Sequence, residues 1–206
     1  MRDQNKLNAL EENETFVQLA GLRANPVGGG FDLEHLQEIH RRIFCNIYPF
    51  AGELRNTGIK KPEGKPFTHP DGIKPHSDRI FESLKEQDYL RGLNPKAMSK
   101  ELSLYLGAIN SVHPFREGNG RTQREFMREL ALHNDYILDF SQTNQDEMEK
   151  ASKAAHERNN LAGLRKIIKQ GLTPIDKHPS FTASVSRTAV SAPEIPDMDF
   201  DHDDYE

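Results

Sequence analysis

With 206 residues, 35% apolar and 29% charged, the chain can bury one good core and reads as a single domain with room for a tail. No apolar run approaches bilayer-spanning length, and the polar start MRDQNKLNALEENET lacks the layout of a secretory signal, so no membrane partner is expected. The formal charge of −5 is localised: seven acids and no Lys or Arg lie in 194–206. That leaves residues 1–193 near neutral, without the basic excess that marks a nucleic-acid binder.

One cysteine, Cys45, rules out an internal disulfide framework and fits a reducing compartment; its expected role is a small buried residue on a helix. The first helix is expected to carry Leu7, Leu10, Phe16, Val17, Leu19 and Ala20 at near-helical spacing, fading before the turn-rich 25–30. Asp32 is a candidate N-cap for a second helix with Leu36, Ile39, Ile43, Phe44 and Ile47 on its apolar face. The Gly/Pro-rich stretch between Gly52 and Gly72 reads as a loop or short hairpin, followed by a helix over 73–88 with Ile80, Phe81 and Leu84. Asn94-Pro95 supplies an N-cap and a first-turn proline for a helix whose Leu102, Tyr105, Leu106, Ile109 and Val112 form a steady stripe.

Pro114 and the glycines end that helix. Another is expected from Arg121 to about His133, with Phe126, Met127, Leu130 and Ala131 inward. Two more follow near 144–157 and 160–170, the last closed by Gly171 at a C′-like position. From 173 onward the Pro, Ser, Thr and acid content reads as a disordered tail. The predicted architecture is all-α, a compact helical bundle with a short β-hairpin insertion.

Residues 113–124, HPFREGNGRTQR, concentrate groups suited to phosphate chemistry. His113 ends a buried helix and can accept a hydroxyl proton near neutral pH. Gly118-Asn119-Gly120 forms a turn that opens directly into the next helix, so converging backbone N–H groups and the helix dipole face one point. Arg121 and Arg124, three apart, share a helix face and pair well with phosphate oxygens. Glu117 would repel phosphate unless a Mg²⁺ ion bridged the two. Singly, a histidine after a helix, a Gly-Asn-Gly turn and two arginines at this spacing are most often structural; it is their combination in twelve residues that carries the reading.

Competing motifs fail. Gly58 to Gly64 has five intervening residues and Pro66 where a P-loop needs Ser or Thr, and Gly118-x-Gly120-x-x-Gln123 lacks the third glycine of a dinucleotide fingerprint. His35 with His40, and His69 with His76, lack the spacing and cysteine partners of a zinc site.

HPFREGNGRTQR resembles the signature HPFx(D/E)GNGRxxR of the Fic family, and HRRIFCNIYPFAGELR (40–55) is similar to the segment preceding that family's flap hairpin. The resemblance spans about residues 5–172. It implies a Fic domain over 1–172, with a helical core at 30–172, a flap at about 56–69, an active-site loop at 113–121 and a tail at 173–206. It implies protein adenylyl transfer in which His113 deprotonates a target hydroxyl that attacks the α-phosphate of ATP. Glu117 would hold Mg²⁺, Gly118, Asn119 and Gly120 would cradle phosphates, Arg121 would grip the outer ones and Arg124 the γ-phosphate. Phe67 and Thr68, with Lys65 and Pro66, would belong to the flap that takes the target as an added strand.

The Doc branch, resembling a kinase, carries Lys at the position of Gly120 and usually Ala at that of Gly118, so this chain favours AMP over phosphate. Transfer of UMP, phosphocholine or phosphate from the same site, and a catalytically silent target-binding module, remain the alternatives. Neither Asn8-xxx-Glu12-Asn13 nor Thr143-xxx-Glu147 fits the inhibitory helix (S/T)xxxE(G/N) found in many relatives. The chain therefore resembles the toxin arm of a bacterial toxin–antitoxin pair, restrained by a separate small antitoxin, in the cytoplasm or exported into another cell.

Overall fold

Helix boundaries follow the caps written in the sequence. The structure, a computed structural model, describes residues 4–60 and 64–178. The side chain of Leu7 and the stretch 179–206, which holds most of the expected tail, lie outside the described part. Helix α1 spans Gln4–Ala24. The Asp32 carboxylate accepts the His35 N–H at 2.8 Å and opens α2, Leu33–Phe44. Helix α3 runs Pro70–Glu86, starting three residues ahead of the expectation with proline in its first turn.

Asn94 caps α4, Pro95–Val112, by accepting the Ala97 N–H at 3.0 Å. Helix α5, Asn119–His133, starts on Asn119 rather than Arg121. Asn144 accepts the Glu147 N–H at 2.8 Å and opens α6, Gln145–Arg158; α7 is Ala162–Gly171. Among the described residues no helix is long and apolar enough to cross a membrane.

Helix α4 is the hub, packing against α3, α5, α6 and α7. Its Leu102, Tyr105, Leu106, Ile109 and Val112 are buried, as the stripe requires, and so are Leu36, Ile39, Ile43 and Phe44 of α2. Phe44, Phe115 and Phe126 are fully buried, each contributing roughly 2–3 kcal/mol of apolar transfer free energy. Phe44 and Phe115 anchor the walls of the site described below.

The sequence reading departs from the structure in several places. In α1, Leu10, Phe16 and Val17 are 64%, 74% and 61% exposed, while Thr15 and Leu22 are buried and Leu19 partly so. The face laid against α2 is the 15/19/22 stripe, with the Thr15 hydroxyl satisfied by donating to the Glu11 carbonyl at 2.8 Å. Cys45 is exposed, because it caps the C-terminus of α2 instead of lying within it.

Among the described residues the flap forms no named strand. One antiparallel bridge, Lys60 with Pro66, joins its limbs, and Phe67 N–H donates to the Ile59 carbonyl at 3.2 Å; residues 61–63 lie outside the described part. The only named strands among the described residues are β1, Tyr136–Leu138, and β2, Leu172–Pro174, paired antiparallel with Ile137 opposite Thr173. Residues 173–178 therefore continue the folded part, with a 3-10 turn at Ile175–Lys177.

Gly171 is the last residue of α7, not a cap beyond it, and is glycine for close approach. A β-carbon there would lie 2.0 Å from the Asp139 carbonyl oxygen, beside the bond from Asp139 N–H to the Gly171 carbonyl at 3.0 Å. Gly171→Ala must push β1 and α7 apart. The expected cost is about 2 kcal/mol, a loss of roughly 4–8 °C in Tm by calorimetry. An unchanged Tm would show that this contact yields freely.

Candidate active site

The helix α4 ends on a left-handed residue that is not glycine. His113 has φ 51 and ψ 63, and its N–H still donates to the Ile109 carbonyl at 3.0 Å. This conformation costs about 1 kcal/mol or more in a residue with a β-carbon, so something must hold it. The holder is Arg55, only 3% exposed. Its Nε donates to the His113 carbonyl at 2.7 Å, Nη1 to Thr57 at 2.7 Å, and Nη2 to Val112 at 3.1 Å and to Thr68.

Arg55 N–H adds a bond to the Pro114 carbonyl at 2.9 Å. The guanidinium thus serves the orphan carbonyls at the end of α4, where the helix dipole favours a cation, and ties both limbs of the flap to them. Burial pushes the guanidinium below its ordinary pKa.

His113 Nδ1 lies 3.3 Å from the Asn110 carbonyl. A carbonyl only accepts, so Nδ1 carries the proton and Nε2 is the basic nitrogen. Phe67 of the flap stacks on the His113 ring, with centroids 3.9 Å apart and planes at 15°. Thr68 N–H donates to the Ser111 carbonyl at 3.3 Å, so the flap is laid along the end of α4.

After Phe115 plugs the core, the chain turns through Arg116 and Glu117. The buried Asn119 side chain staples this loop: its Oδ1 accepts Phe115 N–H at 2.9 Å and its Nδ2 donates to the Phe115 carbonyl at 2.8 Å. The expected cradle role therefore falls to the Asn119 backbone N–H alone, since its amide is consumed within the loop. Gly118 sits at φ 75, and a β-carbon there would come within 2.3 Å of the Phe44 ring. Both conformation and space demand glycine. Gly120 is helical and exposed; a β-carbon there would lie 3.2 Å from Arg124 Nη1.

The two arginines differ. Arg121 Nη2 pairs with Glu11 of α1, its Nη1 reaches Thr15 Oγ1 at 3.4 Å, and its Cζ lies 4.8 Å from the Phe44 ring centroid. Partial burial alone would raise the Glu11 carboxyl. Hydrogen bonds from Arg121 and Tyr48, with the Arg121 charge, outweigh it and hold the carboxyl below its ordinary value. Arg124 makes no hydrogen bond or ion pair with the described residues. Burial first, and then the neighbouring Arg121 charge, lower its pKa.

At the start of α5 the N–H groups of Asn119, Gly120 and Arg121 have no intrahelical acceptor, the first such bond being Thr122 N–H to the Gly118 carbonyl at 3.1 Å. These N–H groups and the Arg124 guanidinium have no acceptor among the described residues. Glu117, two residues before α5, is exposed. Among the described residues no group of three or more His, Cys, Asp or Glu could hold a metal, so Glu117 fits an ion only as one ligand among phosphate oxygens.

His35 and His40 face different partners. His35 Nε2 is 2.9 Å from Glu129 Oε2 in the core, whereas His40 stacks on Phe115 with centroids 3.9 Å apart. His40 Nδ1 accepts Gly52 N–H at 2.8 Å, which makes Nε2 the donor to the Glu117 carbonyl at 3.1 Å. This neutral histidine fixes the backbone of Glu117. Arg55 was not picked out from the sequence, and His40 was weighed there only as a zinc ligand. The one available signal was their place at the two ends of the 40–55 segment.

Burial pushes His40 down to about 4; the bond to the Glu117 carbonyl opposes this, and the Arg121 charge adds to it. The unfolded chain takes up this proton near 6.5, and the folded one does not until about 4. The stability that neutral His40 confers is thus complete above pH 6.5 and lost as pH falls towards 4, by about 3 kcal/mol. Urea unfolding at pH 7 and pH 4.5 should show a steeper loss in the wild type than in His40→Gln. Equal losses would contradict the neutral, buried assignment.

Known proteins resemble this chain in sequence and fold. Residues 30–131 match the Fic/DOC family. The protein adenylyltransferase VbhT of Bartonella schoenbuchensis is 34% identical over 173 residues, covering 84% of this chain but 36% of that protein. The chain thus spans about a third of that relative. The probable protein adenylyltransferase y4lH of Sinorhizobium fredii is 36% identical over 135 residues, 65% of this chain and 70% of that one. The crystal structure of BepC, a VirB-translocated effector protein from Bartonella tribocorum with bound AMPPNP, superposes with a TM-score of 0.79. It is 25% identical and covers 84% of this chain and 90% of that chain.

Proposed function

This chain belongs to the Fic/DOC family, and we propose that its site transfers AMP from ATP to a hydroxyl side chain of a target protein. The observation that carries the reading is Arg124, a guanidinium beside the open N-terminus of α5 with no carboxylate of the described residues to neutralise it. A cation so placed calls for an anion from outside, and a phosphate chain supplies one.

In the proposed reaction His113 Nε2 takes the proton from the target hydroxyl as its oxygen attacks the α-phosphorus. A new O–P bond forms, the bond from the α-phosphorus to the bridging oxygen breaks, and pyrophosphate leaves with that electron pair. The N–H groups of Asn119 to Arg121 and the Arg124 guanidinium hold the outer phosphates and stabilise the charge that grows there. Arg121 joins them by sharing its guanidinium with Glu11. Glu117 would hold Mg²⁺ with phosphate oxygens, an ion that would neutralise charge on the leaving group.

AMP is favoured over phosphate because Gly120 and Gly118 stand where the Doc branch, resembling a kinase, carries Lys and usually Ala. The target would lie along the flap near Phe67 and Thr68, adding backbone bonds to its edge. A separate antitoxin would act by lending Arg124 the carboxylate that the described residues do not provide. Action in the producing cell or after export into another fits this reading equally.

Incubation with a cell lysate, Mg²⁺ and ATP labelled in parallel at the α- and γ-phosphates tests the proposal. Label should enter protein from the α position only; entry from γ alone would establish a kinase instead. His113→Ala should lose transfer by about 10³-fold or more while ATP still binds, because the base acts only in the chemical step. Residual wild-type turnover in that variant would remove His113 from its role.

A further inference from the structure

Phe67 is sandwiched between two histidines, and only one of them belongs to the signature. Its far face meets the ring of His156 on α6, with centroids 4.5 Å apart and planes at 27°. His156 Nε2 lies 3.1 Å from the Lys65 carbonyl, which only accepts, so Nε2 carries the proton and donates to the flap backbone. Its Nδ1 lies 3.4 Å from Ser111 Oγ, on the α4 residue whose carbonyl receives Thr68 N–H.

Three elements are thereby joined through one half-buried ring. Helix α4 presents His113, the flap presents Phe67, and α6 closes the stack from behind. Among the described residues the two limbs of the flap are joined by one bridge and by the bond from Phe67 N–H to the Ile59 carbonyl. Arg55 pins Thr57 and Thr68 at the base, but no contact of Arg55 reaches Lys65 or the Phe67 ring. The seating of the flap above His113 is thus shared by the Phe67 stack, the Thr68 bond to Ser111 and, at Lys65, the bond from His156.

We infer that His156 is a positioning residue that sets the docking edge of the flap over His113, and thereby the affinity for the target protein. It rests on the proposed transfer for its consequence, though not for its geometry. His156 acts through the Lys65 carbonyl and the Phe67 ring and touches no reacting atom. Removing it releases the flap to sample raised positions in which a target strand meets the edge out of register with the base. Binding of ATP, which the proposed site places at the start of α5 and not at the flap bond to α6, is left intact.

Two measurements on the full chain decide it. Hydrogen exchange of the Phe67 and Thr68 amides should be about tenfold faster in His156→Ala, the loss of one hydrogen bond and one ring contact. With α-labelled ATP and a lysate as acceptor, the half-saturating lysate concentration should rise about tenfold with the same plateau. MgATP affinity should stay within about twofold. His156→Phe, which keeps the ring and loses the donor, should fall between wild type and His156→Ala in both.

Unchanged exchange in His156→Ala overturns the inference. So does faster exchange with an unaltered acceptor curve, or a loss of MgATP affinity, which would make His156 a nucleotide contact. If the wild type transfers no label, the proposed function fails on its own and exchange alone judges the latch.

Discussion

A buried guanidinium with no ion pair to a carboxylate of the described residues organises the site. Arg55 donates to carbonyls of Thr57, Thr68, Val112 and His113, and its own N–H to that of Pro114. Such a charge is costly to bury, and the cost is offset because each of its three nitrogens finds a carbonyl oxygen, two of them at the negative end of α4. The left-handed turn at His113 and the seating of both flap limbs follow from the same bonds. A lysine at position 55 would carry the charge but could not reach these carbonyls with a planar fork.

Electrostatics on the other side of the site has the opposite character. Neutral His40 and the Asn119 staple fix the loop without charge, and Arg121 is already matched by Glu11. Positive potential is left at two places, the start of α5 and Arg124, and Glu117, two residues before α5, stands exposed. Gly118 makes this possible by letting the loop lie directly on Phe44, so that α5 starts against the core. Rigid walls and one unmatched cation suit a ligand that carries its own counter-charges, including a metal ion.

The parts legible in the sequence are those whose cause is local. Asp32, Asn94 and Asn144 cap their helices within three residues, and the stripes on α2 and α4 show their buried faces directly. The segment 113–124 could be read because its groups are consecutive. What could not be read depends on distant partners. His156 meets a carbonyl 91 positions away, and Glu11 meets an arginine 110 positions away. The face of α1 was misjudged for the same reason: Phe16 and Val17 look like core, yet the packing of α2 selects Thr15 and Leu22. The strands β1 and β2, three residues each, are too short for alternation to show and exist because they find one another.

The central claim is that the start of α5 and Arg124 form a seat for a phosphate chain in line with His113. A crystal structure of the full chain with Mg²⁺ and a non-hydrolysable ATP analogue tests it most directly. The outer phosphates should lie within hydrogen-bond distance of Arg124 and the N–H groups of Asn119 to Arg121, with the α-phosphate facing His113 Nε2. A nucleotide bound elsewhere, with Arg124 still lacking an anion, would contradict the account.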